Sequence, residues 1–415
     1  MGRDSAPGTP AWLGAVNDRM ALAMLLEHGV LTRNRIRDLS GLSKPTAAQI
    51  VSRLEAAGLI EATDSVAGAR GPNAVGYTVR LDRSIGVAVD VTTTGLRSTL
   101  VDAAGTEHPV AITHRPHGGR IGAVGELRLA IDEAAHAGGV DPASVRRTMI
   151  ALPASVDAER DELAFAEGMP GWPRRGTRAH LEGELGMQVT LDNDVKLAAI
   201  AERTSGAGQG REGFALLWLG NGLGVAADLG STLVRGTSGG AGEIGYLEVP
   251  KAASAIDPTA VDLQDLIGGP TVGRLLRARG LRGRTLDERL ARLAEAPAEL
   301  RDAVLGDLAP RIALAAAPLL AVLDPGLIVL GGPTGAAGGD RLADLVRAQL
   351  RRTTRWTPDV AATGVPAQPV LRGARDRLLI DVRTALLDEV TNPSAGVEGT
   401  STTTPGTTQS KTRTS

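Results

Sequence analysis

The sequence has no cysteine and very few aromatic residues. Its 415 residues include two phenylalanines, two tyrosines and four tryptophans, although 42% of the chain is hydrophobic. Without cysteine the chain can form neither disulfide bonds nor a thiolate zinc site. The cores must therefore be built from Ala, Val, Leu and Ile, and the hydrophobic content is sufficient for packed domains.

The sequence also has little net charge and no evident membrane segment. A formal net charge of -2 gives no global basic field, so contact with nucleic acid requires a local basic patch. Residues 1–12 predict a polar, flexible leader without the apolar centre of a signal peptide, and no apolar run predicts a membrane span. Residues 391–415 are rich in Thr, Ser, Gly and Pro, which predicts a disordered tail. We expect a cytoplasmic protein with no membrane partner.

Residues 13–82 have the pattern of a winged helix-turn-helix domain. Helical spacing of apolar residues stops at Gly29, Thr32 can cap a second short helix, and Ser43 can cap a third. Two short strands then predict a wing. The arrangement of three helices, with a glycine in the turn before the last, is typical of DNA-binding domains.

The third helix and the wing carry the candidate DNA contacts. A solvated amphipathic bundle could also present basic residues, but here the fold pattern and the basic residues coincide. The polar face of the third helix would enter the major groove, and the wing tip would reach phosphate or the minor groove. The predicted contact residues are Lys44, Pro45, Thr46, Gln49, Arg53, Arg70 and Gly71.

From residue 83 onward strands and helices alternate, which predicts an α/β body over residues 83–390. Three segments of this body carry polar or glycine-rich sequence in order: Leu191–Lys196, Gly220–Gly224 and Gly242–Tyr246. Each has a plain structural explanation, because Asp and Asn cap helices and glycines form hairpin turns. Three such segments together indicate a ligand site more strongly than any one of them.

The motifs LDND, LGNGLG and GGAGEIGY, preceded by MIALPASVD and GMPGW and followed by LDPGLIVLGG, resemble those of the ROK family of sugar kinases and sugar-responsive repressors. The resemblance covers roughly residues 85–388. It implies a two-lobed, actin/hexokinase-like body, a duplicated ribonuclease H-like fold with a cleft between the lobes. Lobe 1 would comprise about 83–195 plus 373–390, and lobe 2 about 196–372.

The resemblance also shows where this chain departs from the kinases. The kinases have an Asp followed by paired glycines and a Thr around the ATP phosphates, whereas here Thr92, Thr93 and Thr94 follow Asp90. Non-glycine residues resist positive φ, so we expect weak nucleotide binding and no kinase activity. The remnants of the nucleotide loops are Asp90, Thr92, Thr93, Gly220, Gly222, Gly224, Gly331 and Gly332.

A second departure concerns zinc. Tyr246 occupies the position of a histidine that helps to bind structural zinc in the family, and the family's cysteines are missing. Because phenol is a poor ligand at neutral pH, we expect no metal and no cofactor. Gln264 occupies the position of a sugar-contacting Glu. The resemblance therefore implies a sugar-binding set of Asn193, Asp194, Glu243, Tyr246 and Gln264, with Asp194 matching the kinases' catalytic base.

These features predict a DNA-binding regulator that responds to a sugar or sugar phosphate and acts as a homodimer or homotetramer on a double-stranded operator. A hydroxyl-rich ligand suits carboxylates and amides at fixed separation. Two alternatives remain open. One is an ATP-dependent sugar kinase with an accessory DNA-binding domain, and the other is a DNA-binding protein without a ligand whose polar residues only cap helices.

Overall fold

The computed structural model describes residues 9–66, 74–115, 122–166, 168–169 and 171–390. The predicted disordered tail and most of the predicted leader lie outside these residues. The chain divides into two compact units. The head comprises residues 1–84 together with residues 381–415, and the body comprises residues 85–380.

The head is the predicted winged helix-turn-helix. Its elements are α1 (Pro10–His28), β1 (Leu31–Thr32), α2 (Arg33–Ser40), α3 (Lys44–Ala56), β2 (Ile60–Val66) and β3 (Ala74–Val79), with the strands in the order β1-β3-β2. The side chains of Thr32 and Ser43 cap α2 and α3 as predicted. Helix α1 begins earlier than expected, inside the predicted leader, because Thr9 caps it and Pro10 suits the first helical position.

The apolar face predicted for the third helix is the face that packs in the head. Ala47, Ile50, Val51 and Leu54 of α3 are all buried. Strand β1 was not predicted, since two residues give no periodic pattern. It adds a third strand to the wing by pairing antiparallel with β3.

The body contains two five-stranded sheets with the same topology. The first, in the order β10-β7-β4-β5-β6, is formed by β4 (Ile85–Val91), β5 (Gly95–Asp102), β6 (Val110–His114), β7 (Arg147–Leu152) and β10 (Gln188–Asn193). The second, in the order β13-β12-β11-β14-β15, is formed by β11 (Gly213–Leu219), β12 (Leu223–Leu229), β13 (Thr232–Leu233), β14 (Leu327–Gly331) and β15 (Asp359–Ala362). In each sheet three antiparallel strands continue into two parallel ones. This repetition confirms the predicted duplicated, two-lobed fold.

Helices cover these sheets, and a small hairpin, β8 (Ser155–Asp157) with β9 (Glu162–Ala164), lies beside the first. The helices are α4 (Gly122–Ala137), α5 (Thr177–Leu185), α6 (Asp194–Ser205), α7 (Leu263–Ile267), α8 (Gly269–Ala278), α9 (Leu286–Ala294), α10 (Ala298–Leu323), α11 (Gly332–Thr353) and α12 (Pro369–Glu389). By length and composition α10 could cross a membrane, although no membrane span was predicted from the sequence. However, 61% of its most apolar window is buried inside the fold, as in the core helix of a globular domain.

Two helices differ from their predicted extent. Helix α11 starts at Gly332 rather than at the predicted Arg341, and it has a kink at Gly339. Its first turns are rich in glycine, which has low helix propensity, so the sequence pattern did not predict them as helix. Helix α12 returns to the first sheet, where Leu378 lies against Gly86. From Asp381 onward, the final turns of this helix belong to the head.

Contacts within the head explain this boundary. The Ser84 hydroxyl donates to the carbonyl of Val382 at 2.9 Å. Arg83 pairs with Glu389 at 2.9 Å, and Arg19 of α1 pairs with Asp388 at 2.5 Å. The end of the last helix is therefore part of the head's structure.

Candidate functional site

The candidate ligand site lies where parallel strands of the first sheet end. Strands β4, β7 and β10 run in the same direction, with Asp90 level with Ala151 and Asn193 level with Leu152. Ligands of α/β sheets bind at the carboxyl ends of such strands. Here a cavity of about 990 Å³ is lined by residues of both sheets, among them Asp90, Asn193, Asp194, Gly222 and Glu243.

Asn193 and Asp194 form the start of α6. The Asn193 side chain caps the helix by accepting from the backbone N–H of Lys196 at 3.1 Å. Its amide nitrogen donates to the carbonyl of Ala154 and to Asp194 Oδ1, each at 3.1 Å. The capping interpretation is thus correct for Asn193, and the same bonds orient the Asp194 carboxyl toward the cavity.

Two carboxyl groups of this site have raised pKa values. Burial raises the pKa of Asp194 to about 7, and the negative charge of Asp90 adds to the rise. Burial also raises the pKa of Asp90 to about 6, while Arg97, whose Nη1 is 3.9 Å from Asp90 Oδ2, opposes this rise. A carboxyl group whose pKa is raised in this way is suited to exchanging a proton with a hydroxyl.

Glu243 reaches the cavity from the second lobe because of the glycine that precedes it. Gly242 has a φ of 99°, and a Cβ at this position would overlap the carbonyl of Val225. Ser155 of β8 donates to Glu243 Oε1 at 2.6 Å, so this carboxylate is bonded to the first lobe. The three central residues of the predicted sugar-binding set, Asn193, Asp194 and Glu243, thus line one cavity.

A buried lysine lies behind these acids and was not recognised in the sequence. Lys196 is only 2% exposed, and its ammonium donates to the carbonyl of Gly239. Burial lowers the pKa of Lys196, while the charges of Asp192 and Glu243 oppose this effect. Asp192 in turn pairs with Arg235 at 2.7 Å. An inward-facing Lys in the first turn of a helix was the available sequence signal.

Gln264 and Tyr246 lie at the same cavity with different surroundings. Gln264 Oε1 accepts from the backbone N–H of Leu223 at 2.7 Å, and Nε2 donates to the carbonyl of Asn221 at 2.8 Å. Both ends of its amide thus fasten the glycine turn. The ring of Tyr246 lies 5.0 Å from that of Phe165. Tyr246 is exposed and its site has no thiolate ligand, so the residues present do not fit the family's structural zinc.

The threonine loop that replaces the kinase phosphate loop is bonded to itself. The backbone N–H and the hydroxyl of Thr92 both donate to the carbonyl of Gly95 at 2.9 Å. The N–H of Thr94 donates to Thr92 Oγ1 at 3.4 Å, and Arg115 donates to the carbonyl of Thr93 at 3.1 Å. The N–H and hydroxyl of Thr92 and the N–H of Thr94 are therefore engaged within the loop.

The indole of Trp218 also lines the cavity. Trp218 lies at the end of β11, beside both glycine segments that the sequence suggested as nucleotide loops. A Cβ on Gly220 would lie 2.6 Å from Trp218 Nε1, and one on Gly331 would lie 3.5 Å from its Cε3. The indole thus lies directly beside Gly220 and near Gly331.

In the head, the predicted DNA-contacting residues of α3 differ in exposure. Lys44, Pro45 and Gln49 are exposed, while Thr46 is half-buried and its hydroxyl is 2.8 Å from that of Ser43. Arg53 makes a two-point ion pair with Asp18 of α1, at 2.5 and 2.8 Å. Its guanidinium is therefore engaged in joining α3 to α1. Arg70 and Gly71 lie outside the described residues.

Comparison with known proteins identifies both parts of the chain. The MarR family matches residues 16–71, and the ROK family matches residues 87–375. The bifunctional enzyme NanE/NanK of Brucella suis biovar 1 is 30% identical over 233 residues, which are 56% of this chain and 42% of that enzyme. A putative xylose repressor of Caldicellulosiruptor sp. is 21% identical over 249 residues, 58% of this chain and 61% of the repressor. The chain thus spans less than two thirds of the length of these relatives.

Two solved structures show the same fold. A ROK family transcriptional regulator, a homolog of the E. coli MLC protein, has a TM-score of 0.65 at 18% identity and covers 91% of this chain and 98% of its own. A ROK family glucokinase from Streptomyces griseus, in complex with glucose and AMPPNP, has a TM-score of 0.58 at 24% identity over 71% of this chain and 98% of its own. Because the ROK match extends over more than half of its length, this chain belongs to the ROK family, with a MarR-like winged-helix head preceding the ROK body.

Proposed function

We propose that this protein is a sugar-responsive transcriptional regulator whose ROK body binds a sugar or sugar phosphate without phosphorylating it. The observation that supports this best is the contrast between the two sides of one cavity. Asp194 and Glu243 line it with carboxylates, whereas the N–H and hydroxyl of Thr92 donate within their own loop and Trp218 lies beside Gly220. This contrast supports a cavity that binds a polyol, and we propose that it binds no triphosphate.

The chemistry of the acid side suits hydroxyl groups. Asp194 Oδ1 accepts from the N–H of Val195 and Glu243 Oε1 accepts from Ser155, and we propose that the second oxygens of these carboxylates meet the ligand. A ligand hydroxyl can donate to each of these oxygens, and a ligand lacking it would leave a desolvated carboxylate unpaired. Asn193 positions Asp194, and we propose that Gln264 acts on the ligand indirectly by fixing the glycine turn.

The head would bind an operator through α3. Lys44 and Gln49 are exposed on its first two turns, which is the part of a recognition helix that reaches base edges and phosphates. We infer that Arg53 positions α3 rather than contacting DNA, because its charge is paired with Asp18. A homodimer or homotetramer would present two heads to two half-sites. Such a regulator would act in the cytoplasm.

Helix α12 begins at the cavity and ends in the head. Val370, in the first turn of α12, lines the cavity, and the residues from Asp381 onward belong to the head. A ligand that favours one form of the cleft can change DNA affinity only by the difference in its affinity for the two forms. We therefore propose that the cleft and α12 shift together.

Fluorescence anisotropy of a labelled duplex that carries the DNA upstream of the coding region tests this proposal. Monosaccharides and their phosphates are added to the full-length protein bound to the duplex. We expect one class of sugar to change the duplex affinity, and Asp194→Ala to abolish that change while retaining DNA binding. If no sugar alters the affinity, or if the variant responds like the wild-type protein, the sensing function is refuted.

An ATP-dependent sugar kinase is the second candidate. The pKa of about 7 at Asp194 suits a general base, and glucokinases are among the relatives of the body. An ATP-consumption assay with hexoses and N-acetylhexosamines distinguishes the two functions. Turnover that is lost in Asp194→Asn would favour the kinase.

A further inference from the structure

The cavity contains an aromatic cluster that the monosaccharide proposal leaves unused. The chain has two phenylalanines, two tyrosines and four tryptophans, and three of these residues, Phe165, Trp218 and Tyr246, line this one cavity. Trp218 lies beside Gly220 and near Gly331. Phe165 and Tyr246 form a separate pair, with ring centroids 5.0 Å apart and ring planes inclined by 43°.

This aromatic pair is exposed at a cost in stability. Phe165 is 41% exposed and Tyr246 is 56% exposed, although large aromatic rings contribute most when they are buried. Phe165 also adopts a φ of 51°, which is strained for a bulky side chain, by about 1–3 kcal/mol. A strained, exposed ring at the wall of a cavity contributes little to the stability of the fold, but it offers an apolar surface to a ligand.

The position of the pair relative to Glu243 defines what it could bind. Tyr246 ends the 3₁₀ turn that begins directly after Glu243. The Phe165 ring lies 3.4 Å from the position of a Cβ on Gly240, three residues before Glu243. The two rings therefore border the segment whose carboxylate would contact the first sugar ring. A ring attached to that sugar would lie within reach of the aromatic surface.

We propose that the ligand is a glycoside with two rings, one bound at Asp194 and Glu243 and the second stacked on Phe165 and Tyr246. The inference rests on the proposed sugar-binding function and specifies its ligand class. The volume of about 990 Å³ is at the upper end of the usual range for ligand pockets, roughly 300–1,000 Å³. Ligand pockets commonly combine apolar and aromatic walls with a few oriented polar groups, as found here.

Isothermal titration calorimetry on the full-length protein tests this ligand class. The probes are glucose, xylose and N-acetylglucosamine, each compared with its β-1,4-linked disaccharide and its phenyl β-glycoside. We expect the two-ring ligand of one series to bind about 2- to 12-fold more tightly than its monosaccharide. A gain with the disaccharide identifies a second sugar ring, and a gain only with the phenyl glycoside identifies an aryl group.

Variants assign this gain to the aromatic pair. In Phe165→Ala the ratio of two-ring to one-ring affinity should fall to about one. Phe165→Tyr, which keeps an aromatic ring at this position, should keep the wild-type ratio. Trp356→Ala, which removes an exposed ring elsewhere in the body, serves as the control and should keep the wild-type ratio. Thermal melting of each variant verifies that it is folded.

The outcomes separate this inference from the function on which it rests. Equal affinity for one-ring and two-ring ligands, or an unchanged ratio in Phe165→Ala, overturns the two-ring ligand and leaves a monosaccharide sensor standing. Absence of binding throughout the panel overturns both.

Discussion

Asp194→Asn should make the body more stable, and the gain should grow as the pH rises. The raised pKa of about 7 means that the folded protein favours the protonated carboxyl, whereas an unfolded Asp ionises near its model value of 3.8. In this range the folded state binds more protons than the unfolded state, so wild-type stability falls as pH rises from about 4 to 7. Asparagine retains the carbonyl oxygen that accepts from Val195 and Asn193 but carries no charge.

The size of the effect follows from the pKa difference. One pKa unit corresponds to about 1.4 kcal/mol, so the interval from pH 5 to pH 7 contributes nearly 3 kcal/mol at most. Because Asp194 is half-buried at an open cleft, water reduces this cost, and we expect about 1–2 kcal/mol. Above pH 7 the difference should level off. Asp90→Asn should shift the pH dependence to lower pH, since the charge of Asp90 contributes to the raised pKa of Asp194.

Urea unfolding of full-length wild-type and Asp194→Asn proteins at pH 5, 6, 7 and 8 measures this difference. The exposed Asp287, which lines the same cavity, supplies the matched control. Asp287→Asn removes a carboxylate from an exposed position and should change the free energy of unfolding little at each of these pH values. A constant difference for Asp194→Asn, or a wild-type protein that becomes relatively more stable at pH 8, would refute the argument.

Three further predictions concern the head and the nucleotide side. Lys44→Ala should weaken operator and random duplexes alike and lower the slope of log affinity against log salt by about one, measured by anisotropy; an effect on the operator alone would contradict a phosphate contact. Asp18→Asn should destabilise the head by about 1–2 kcal/mol in thermal melts, because it removes the partner of Arg53, whose own partial exposure limits the loss; unchanged melting would count against this. Trp218→Ala should bind ATP about tenfold or more tightly than wild type in equilibrium dialysis, and equal binding would show that the indole is no barrier.

Local features of the fold were accessible from the sequence. Thr32 and Ser43 cap helices because their side chains satisfy nearby backbone donors, an interaction that depends on a few neighbouring residues. The same holds for the strand ends at Asp90 and Asn193, where an apolar run turns polar. The meeting of these segments at one cavity followed from the family resemblance, since a linear sequence does not specify how two lobes pair.

Features that depend on residues distant in the sequence could not be predicted from the sequence alone. Arg53 on the polar face of α3 has the pattern of a DNA contact, yet its partner is Asp18, 35 residues earlier. Gln264 was expected to face a sugar, but its amide bonds to a turn 43 residues away. The tilted ring pair of Phe165 and Tyr246 likewise joins separate segments. In each case the side chain's chemistry was clear, and only the fold decided which partner it met.

The distribution of the acids over two lobes suggests how recognition can be separated from catalysis. Asp194 belongs to the first lobe and Glu243 to the second, and Ser155 already bonds Glu243 across the cleft. A ligand hydroxyl that stabilises ionised Asp194 relieves part of the cost of its burial, but only when the cleft brings Glu243 to the same ligand. Such a ligand binds one form of the cleft more tightly, and this difference is all that a population shift requires. A kinase would need this difference in ligand affinity between the two forms of the cleft and also a bound triphosphate. A regulator needs only the difference in affinity.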